Sequence, residues 1–408
     1  MRRVAIVGGA LSANKGAAAM VETVIAQLPA KLGSTQFQLL TTYPEADAPK
    51  VPHGADVKIV GLQPIRLALV EFPVAVFALI ARLLHIPLGW VRTRGCRAML
   101  NSDVVVDVAG ISFADGRGIP IVVYNALMTG VPLLLGVPTV KAAQALGPFT
   151  SPVNSILSRL VLPRVTTICA RGARTRDHLN TLQLKNVVDV ADLAFSLEES
   201  ADLPADVATS VATLTNGFIV VMPSAVVRGI VETGGDNYVT AVADLVRRLR
   251  VKTTKGIVIA PHSYRVGHGE GRMNDGPVCR EVAEQLSDDA GVVLVDADLT
   301  AGELRKLIGM SDALVTSRFH AMISGLCTET PTVVVGWSHK YREVLDDFGL
   351  VDFGMDSQVL KTPDVVVDKV VSALSRAEEI RNSIRKALPE VRQRSLRNFD
   401  VIANAASS

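Results

Sequence analysis

Aromatic residues are scarce in this 408-residue chain, at 4%, and there is no basic run to accompany them. The formal net charge is only +2. Without base-stacking side chains or a cationic stripe, nothing points to a nucleic-acid partner. Cysteine is also rare. Cys96, Cys169, Cys279 and Cys327 lie far apart with no C-x-x-C spacing, so they read as buried thiols in a reducing cytoplasm. No His, Cys, Asp or Glu cluster has ligand spacing, so no metal is expected. The start, Met1-Arg-Arg-Val-Ala-Ile-Val-Gly-Gly9, runs directly into a strand and does not read as a signal peptide.

One long, very apolar segment, residues 66–92, raises the question of a membrane. Glu71 and Arg82 bracket only ten uncharged residues there, and Pro73 and Pro87 interrupt the segment. A span needs about twenty. The first reading is a buried or half-buried helix. The competing one is an in-plane membrane contact, with Arg66, Arg82, Arg92 and Arg94 near lipid phosphates. A transmembrane span is not expected.

What the chain does have is apolar strands alternating with helical stretches. Strands are predicted at Arg2–Val7, Gln36–Thr42, Asp56–Val60, Asp103–Val108, Thr139–Ala143, Val165–Ala170 and Val187–Val190. Helices are predicted at 17–29, 66–85, 120–135, 153–162 and 173–183. The small, acidic stretch 196–216 reads as a linker. The rhythm then restarts with strands at Phe218–Met222, Ile257–Ala260, Val292–Val295, Ala313–Thr316 and Pro331–Gly336. The expectation is an α/β protein of two Rossmann-like domains, 1–200 and 215–380, each with a mostly parallel sheet. A helical tail, 381–408, broken at Pro389, would pack back on the first domain.

The stretch Asp312-Ala-Leu-Val-Thr-Ser-Arg-Phe-His-Ala-Met322 concentrates the chemistry. A strand runs into Ser317, read as the N-cap of a following helix, which places Phe319 and His320 in its first turn. Free N–H groups and the helix dipole favour an anion there. Arg318 adds a planar fork of donors and His320 a hydrogen bond or a proton. The next strand leads to Trp337-Ser-His-Lys340. Two cationic elements at neighbouring strand ends make a site for a small, multiply charged anion.

Other strand ends carry polar groups too. Gly8 to Gly16 lacks the full G-x-G-x-x-G spacing, so no dinucleotide is inferred; Asn14 and Gly16 either shape a substrate loop or make a tight turn. Asp107, with Gly110, Ser112 and Asp115 after it, ends one strand; Gly147-Pro148-Phe149 and Arg171 end two others. Pro261-His262 opens a polar, glycine-rich loop, 263–275, that ends in Asn274-Asp275.

Taken in order, these markers resemble the polysaccharide pyruvyl transferase family. The resemblance rests on Ser317-Arg-Phe-His-Ala321, on the preceding Glu303 to Asp312 and on the following Thr330 to Gly336. Asn14-Lys-Gly16, Asp103 to Gly110, Leu146-Gly-Pro-Phe149, Arg171, Arg176-Asp177, Asp192-Leu-Ala-Phe195, Pro261-His262 and Asn274-Asp275 complete the set. It covers residues 3–350. One departure stands out: many members continue the early loop as Asn-x-Gly-Asp, whereas this chain has Ala17.

The resemblance implies a GT-B-like fold with the two domains facing across a cleft. It implies transfer of the enolpyruvyl unit of phosphoenolpyruvate to a sugar of an envelope polysaccharide or glycolipid, closing a cyclic ketal with release of phosphate. Phosphoenolpyruvate is then bound by Arg171, Ser317, Arg318, Phe319, His320 and Lys340. Arg318 and His320 are also the catalytic candidates, with Asp107 and Asp115 as possible bases. Asn14, Gly16, His262, Asn274 and Asp275 are candidate acceptor contacts. No cofactor is expected beyond the donor substrate, and the acceptor can be lipid-linked. The expected location is cytoplasmic, with peripheral contact at the inner membrane face as an option. Competing readings are a GT-B glycosyltransferase or sugar-nucleotide epimerase, and a non-catalytic scaffold in envelope-polymer assembly.

Overall fold

The computed structural model describes residues 1–200, 202–265, 271, 274–336 and 339–407. The strands in chain order are β1 (Arg2–Val7), β2 (Ala13–Asn14), β3 (Thr35–Thr41), β4 (Val57–Gly61), β5 (Val104–Asp107), β6 (Ile111–Ser112), β7 (Thr139–Leu146), β8 (Thr167–Arg171) and β9 (Val187–Val190). They continue as β10 (Phe218–Met222), β11 (Gly256–Ile259), β12 (Ser263–Tyr264), β13 (Val292–Leu294), β14 (Ala313–Thr316), β15 (Thr332–Gly336) and β16 (Gly354–Asp356).

The chain forms two compact units. The first comprises Met1–Ser12, Ala17–Ser196 and Arg392–Ser408; the second comprises Ala13–Gly16 and Leu197–Val391. The first unit is built on a parallel sheet ordered β4-β3-β1-β5-β7-β8-β9, with β6 paired to β7. Its central strands are continuous apolar runs because helices cover both faces. Val4 and Ile6 pack on Leu28 and Val106 on one side, while Ala5 and Val7 pack on Leu62, Cys96 and Val131 on the other. The second unit is a parallel sheet ordered β13-β11-β10-β14-β15-β16, whose core includes Val220, Val258, Leu307 and Leu314.

In each sheet the strand order reverses beside its first strand, between β1 and β5 and between β10 and β14. A crevice opens outside the carboxyl ends at such a switch point, and α/β sheets bind ligands there. The first switch point carries Gly8 and Asp107, the second Pro223, Ser224, Ser317 and Arg318.

Three local expectations are corrected. The stretch 196–216 is not an open linker, since its Ala205–Ala212 helix buries Val207 and Val211 in the core of the second unit. Small residues around that i, i+4 valine pair hide its amphipathic pattern. The tail is not broken at Pro389 but is one helix, Ala377–Ser407. Pro389 and Arg385 lie on its exposed face, so water can satisfy the Arg385 carbonyl that loses its backbone partner. From Arg392 the helix belongs to the first unit, where Phe399, Ile402, Ala405 and Ala406 are buried. The apolar segment is the third case. Pro64–Leu83 is helical with a π turn at Leu67–Glu71, and many of its large side chains are exposed rather than buried.

Candidate functional site

The switch point of the second unit is organised by Asp275, which is fully buried. Its carboxylate accepts backbone N–H bonds from Ala225 (2.9 Å) and Ser263 (2.9 Å). It also accepts both arms of the Arg318 guanidinium, from Nε at 2.8 Å and from Nη2. Arg318 is therefore aimed by a bidentate pair, with its side chain 12% exposed. Burial disfavours the cation, but the Asp275 carboxylate outweighs this and keeps Arg318 charged. This corrects the reading of Asp275 as an acceptor contact: a sealed, fully bonded carboxylate positions Arg318 instead.

The following helix spans Phe319–Cys327 and its N-cap is Arg318, not Ser317. Ser317 still belongs to the sheet ladder, donating to the Met222 carbonyl at 3.3 Å, so the chain turns one residue later. Thr316 Oγ1 accepts the Arg318 N–H at 3.0 Å. Phe319 and His320 open the helix, their rings edge to face at 5.3 Å. Phe319 also meets Tyr341 at 5.6 Å, and Tyr341 donates its hydroxyl to the Ser317 carbonyl at 3.0 Å. Lys340, in the helix His339–Asp347, places Nζ 4.8 Å from the Phe319 ring centre and 5.4 Å from that of Tyr341. That cation–π contact brings a second positive charge to the same helix start.

The early loop joins this unit. β2 pairs antiparallel with β12, matching Asn14 to Ser263. Asn14 Oδ1 accepts the Gly16 N–H at 3.0 Å, which fixes the turn into the helix Lys15–Leu32. A Cβ on Gly16 would lie 2.0 Å from His320 Nδ1, so only glycine lets the imidazole approach this backbone. Lys15 is buried and ion-paired with Asp298. His262 is buried as well, and burial together with the neighbouring His320, Arg318 and Lys15 pulls its pKa well down, so it is neutral. Asn274 is buried and its Oδ1 accepts the N–H groups of Arg265 (3.2 Å) and Gly276 (3.3 Å), which shapes the end of the loop. The rest of that loop, 266–270 with 272 and 273, and the pair at 337 and 338 lie outside the described residues.

The first unit carries the remaining predicted residues, and two assignments change. Asp107 is not placed as a base. It is buried in an ion pair with Lys141, and it also accepts from Ala109 N (3.0 Å) and Thr129 Oγ1 (3.4 Å). Burial lowers the Lys141 pKa while Asp107 opposes the shift. Gly8 (φ +77°) passes so close that a Cβ there would lie 2.6 Å from Asp107 Oδ1. Asp115 accepts the N–H and hydroxyl groups of both Thr150 and Ser151, and Asn154 Nδ2. Burial raises its pKa, but these donors more than reverse that and hold it well below the usual carboxylate range. Such a carboxylate fastens the loop before the helix Pro152–Val161 and is a poor base near neutrality. Arg171, at the end of β8, is buried and ion-paired with Asp192, beside Gly110. Ser395 and Asn398 of the last helix bond the carbonyls of Asp192 and Ala191, fixing that partner.

The second unit thus brings together Asn14, Gly16, His262, Asn274, Asp275, Ser317, Arg318, Phe319, His320 and Lys340. Arg171, Asp107 and Asp115 belong to the first unit. Sequence reasoning missed Lys15, Lys141, Asp298 and Tyr341. Lys15 lay inside a motif already noted, but buried cations in apolar contexts give no local signal. Among the described residues, no group of three or more His, Cys, Asp or Glu is placed to hold a metal ion.

Solved structures with the same architecture include a UDP-N-acetylglucosamine 2-epimerase of Methanocaldococcus jannaschii (TM-score 0.58, 10% identity, 92% of this chain and 93% of that one). A putative UDP-N-acetylglucosamine 2-epimerase of Listeria monocytogenes (0.59, 11%, 95% and 91%) and the trehalose-6-phosphate synthase OtsA (0.51, 13%, 99% and 96%) also match. These are GT-B-type folds, and at such identities they establish the fold alone. The model of the family described as polysaccharide pyruvyl transferase matches residues 14–339, a span that contains every element of the second-unit site from Asn14 to His320. The chain therefore belongs to the polysaccharide pyruvyl transferase family.

Proposed function

We propose that this chain transfers the enolpyruvyl group of phosphoenolpyruvate to two hydroxyls of one sugar in an envelope polysaccharide or glycolipid, forming a cyclic pyruvate ketal. The observation that carries this is the cationic helix start at the second switch point. There Asp275 aims Arg318, Gly16 admits His320, and Lys340 rests on Phe319. A donor with a carboxylate and a phosphate matches such a set of cations.

In this reading the enol carbon C3 gains a proton and becomes a methyl group. The positive charge at C2 is taken up by one sugar hydroxyl. The C2–O bond to phosphate breaks, and the second hydroxyl closes the ketal. Of the two hydroxyl protons, one balances that delivered to C3 and the other leaves with phosphate. Arg318 and Lys340 neutralise the donor and ease phosphate departure, and His320 supplies a proton or a phosphate hydrogen bond. Phosphoenolpyruvate carries its own activation, so no cofactor takes part. Four free, buried cysteines suit a reducing, cytoplasmic setting.

The test is phosphate release from phosphoenolpyruvate with candidate acceptors, run beside UDP release from UDP-sugars. Arg318→Ala and His320→Ala are expected to abolish phosphate release while the thermal melt remains cooperative. Undiminished turnover in both variants, or release of UDP alone, sinks the proposal.

A further inference from the structure

The apolar segment of the first unit is folded inside out compared with an ordinary surface helix. Its small residues face the protein: Ala75, Ala78 and Ala81 are buried, the first two in the core with Leu67 and Cys96. Leu67, Phe72 and Val74 also pack there, but many of its other large residues face solvent. Ile65, Leu69, Phe77 (63% exposed), Ile80, Leu83 (71%) and Leu84 form one outward face along the helix. Ile86 and Trp90 extend it in the following loop, and Ile119 and Ile121 stand exposed on the helix Ile119–Leu135 that packs beside it. A soluble helix buries its largest apolar side chains because they gain most from leaving water. A contiguous exposed apolar face of this kind marks an interaction site.

Charge selects the partner. Between residues 63 and 101 the acidic residue is Glu71, while Arg66, Arg82, Arg92, Arg94 and Arg97 are basic, and 119–135 carries no charge. Glu71 is fully buried in the π turn. It accepts from Arg66 Nε (3.1 Å) and from the N–H groups of Gly95 (3.2 Å) and Cys96 (2.9 Å), clamping the start of the helix Arg94–Leu100. It therefore does not interrupt the outward face as the sequence suggests. Arg82 reaches the Leu134 carbonyl at 3.2 Å while remaining exposed, as do Arg92, Arg94 and Arg97. The rim is cationic. A second copy docked through this face would bring like charges together, whereas an anionic bilayer complements them.

We infer that the first unit docks in the plane of an anionic lipid surface, with Leu69, Phe77, Ile80, Leu83 and Leu84 entering the interface and Arg82, Arg92 and Arg94 meeting lipid phosphates. The helix Pro64–Leu83 has the length and composition of a span, but its alanine stripe and Leu67 hold it against the core, so it lies on the membrane rather than crossing it. The inference does not rest on the pyruvyl-transfer reading and is tested without substrate.

The experiment is sedimentation of the full chain with phosphatidylcholine vesicles and with phosphatidylcholine–phosphatidylglycerol vesicles, alongside its oligomeric state by light scattering. Binding is expected on the anionic vesicles and weaker with added salt. The double variant Phe77→Glu, Leu83→Glu is expected to abolish it. Arg92→Gln and Arg94→Gln are each expected to weaken it about five-fold while sparing any residual binding to phosphatidylcholine. All four positions are exposed, so unchanged thermal melts certify folding, and Val251→Glu, at an exposed site in the second unit, is the control expected to change nothing. Wild-type protein that ignores both vesicles overturns the inference, as do glutamate variants that bind like wild type. A dimer dissociated by Phe77→Glu without vesicle binding would assign the face to a second copy instead.

Discussion

The two sheets each set an acid and a cation at the same topological position, and their exposure separates them. At the first switch point Asp107 holds Lys141, whose side chain is 0% exposed. At the second, Asp275 holds Arg318, whose guanidinium is aimed by two bonds and whose side chain is 12% exposed. A sealed pair mostly offsets its own desolvation cost and serves the fold. In the proposed function, the second pair's partly exposed arginine is the positioned binding group. Strand-end location alone therefore does not separate the two pairs; the exposure of the cation does.

The largest expected effect breaks the first pair. Lys141→Ala strands a buried Asp107 carboxylate and should cost about 3–5 kcal/mol of stability, read as a drop in the urea midpoint. Next, Arg318→Lys retains the charge but loses the bidentate fork. Phosphate release should fall about 10²–10³-fold in kcat/KM, with a much smaller change in the urea midpoint than Lys141→Ala produces. A large stability loss with normal turnover would reverse the distinction between the two pairs.

Gly16→Ala comes third. The new methyl cannot coexist with the His320 ring as placed, so turnover should fall toward that of His320→Ala. Displacing the ring should cost about 1–3 kcal/mol, offset in part by the up to about 1 kcal/mol that alanine gains over glycine in a helix. The smallest effect is one of pH. The folded-state pKa of His262 is depressed, so its contribution to stability is complete above the unfolded value of about 6.5 and is lost as pH falls below it. His262→Asn should give a flatter thermal-midpoint profile than wild type on the acid side of pH 6.5, and identical profiles would place His262 outside the positive field.

Much of this was legible in the chain. Apolar runs such as Phe218–Met222 and Ala313–Thr316 announce buried parallel strands, because only a sheet covered on both faces tolerates them. Ser317-Arg-Phe-His320 is legible as an anion site because a strand end, a helix start and an arginine fall together. The cap was misread by one residue, since only the ladder bond from Ser317 to Met222 shows how far the strand continues. Asp107, Asp115 and Asp275 looked alike as polar residues after apolar strands or beside glycines. What separates them is their partners at a distance: Lys141 for the first, Thr150, Ser151 and Asn154 for the second, Arg318 for the third. Glu71 misled for the same reason, because a charge in sequence is an interruption only if it faces outward.

The sequence by itself determined the two parallel-sheet units, the family, and the cationic turn after β14, because periodicity and local motifs are properties of neighbouring residues. Tertiary structure alone decided which charges are sealed, which glycine must remain bare for His320, and which face of the apolar helix meets solvent. Those depend on groups tens to hundreds of residues apart in the chain, brought together only when the sheets and their covering helices close.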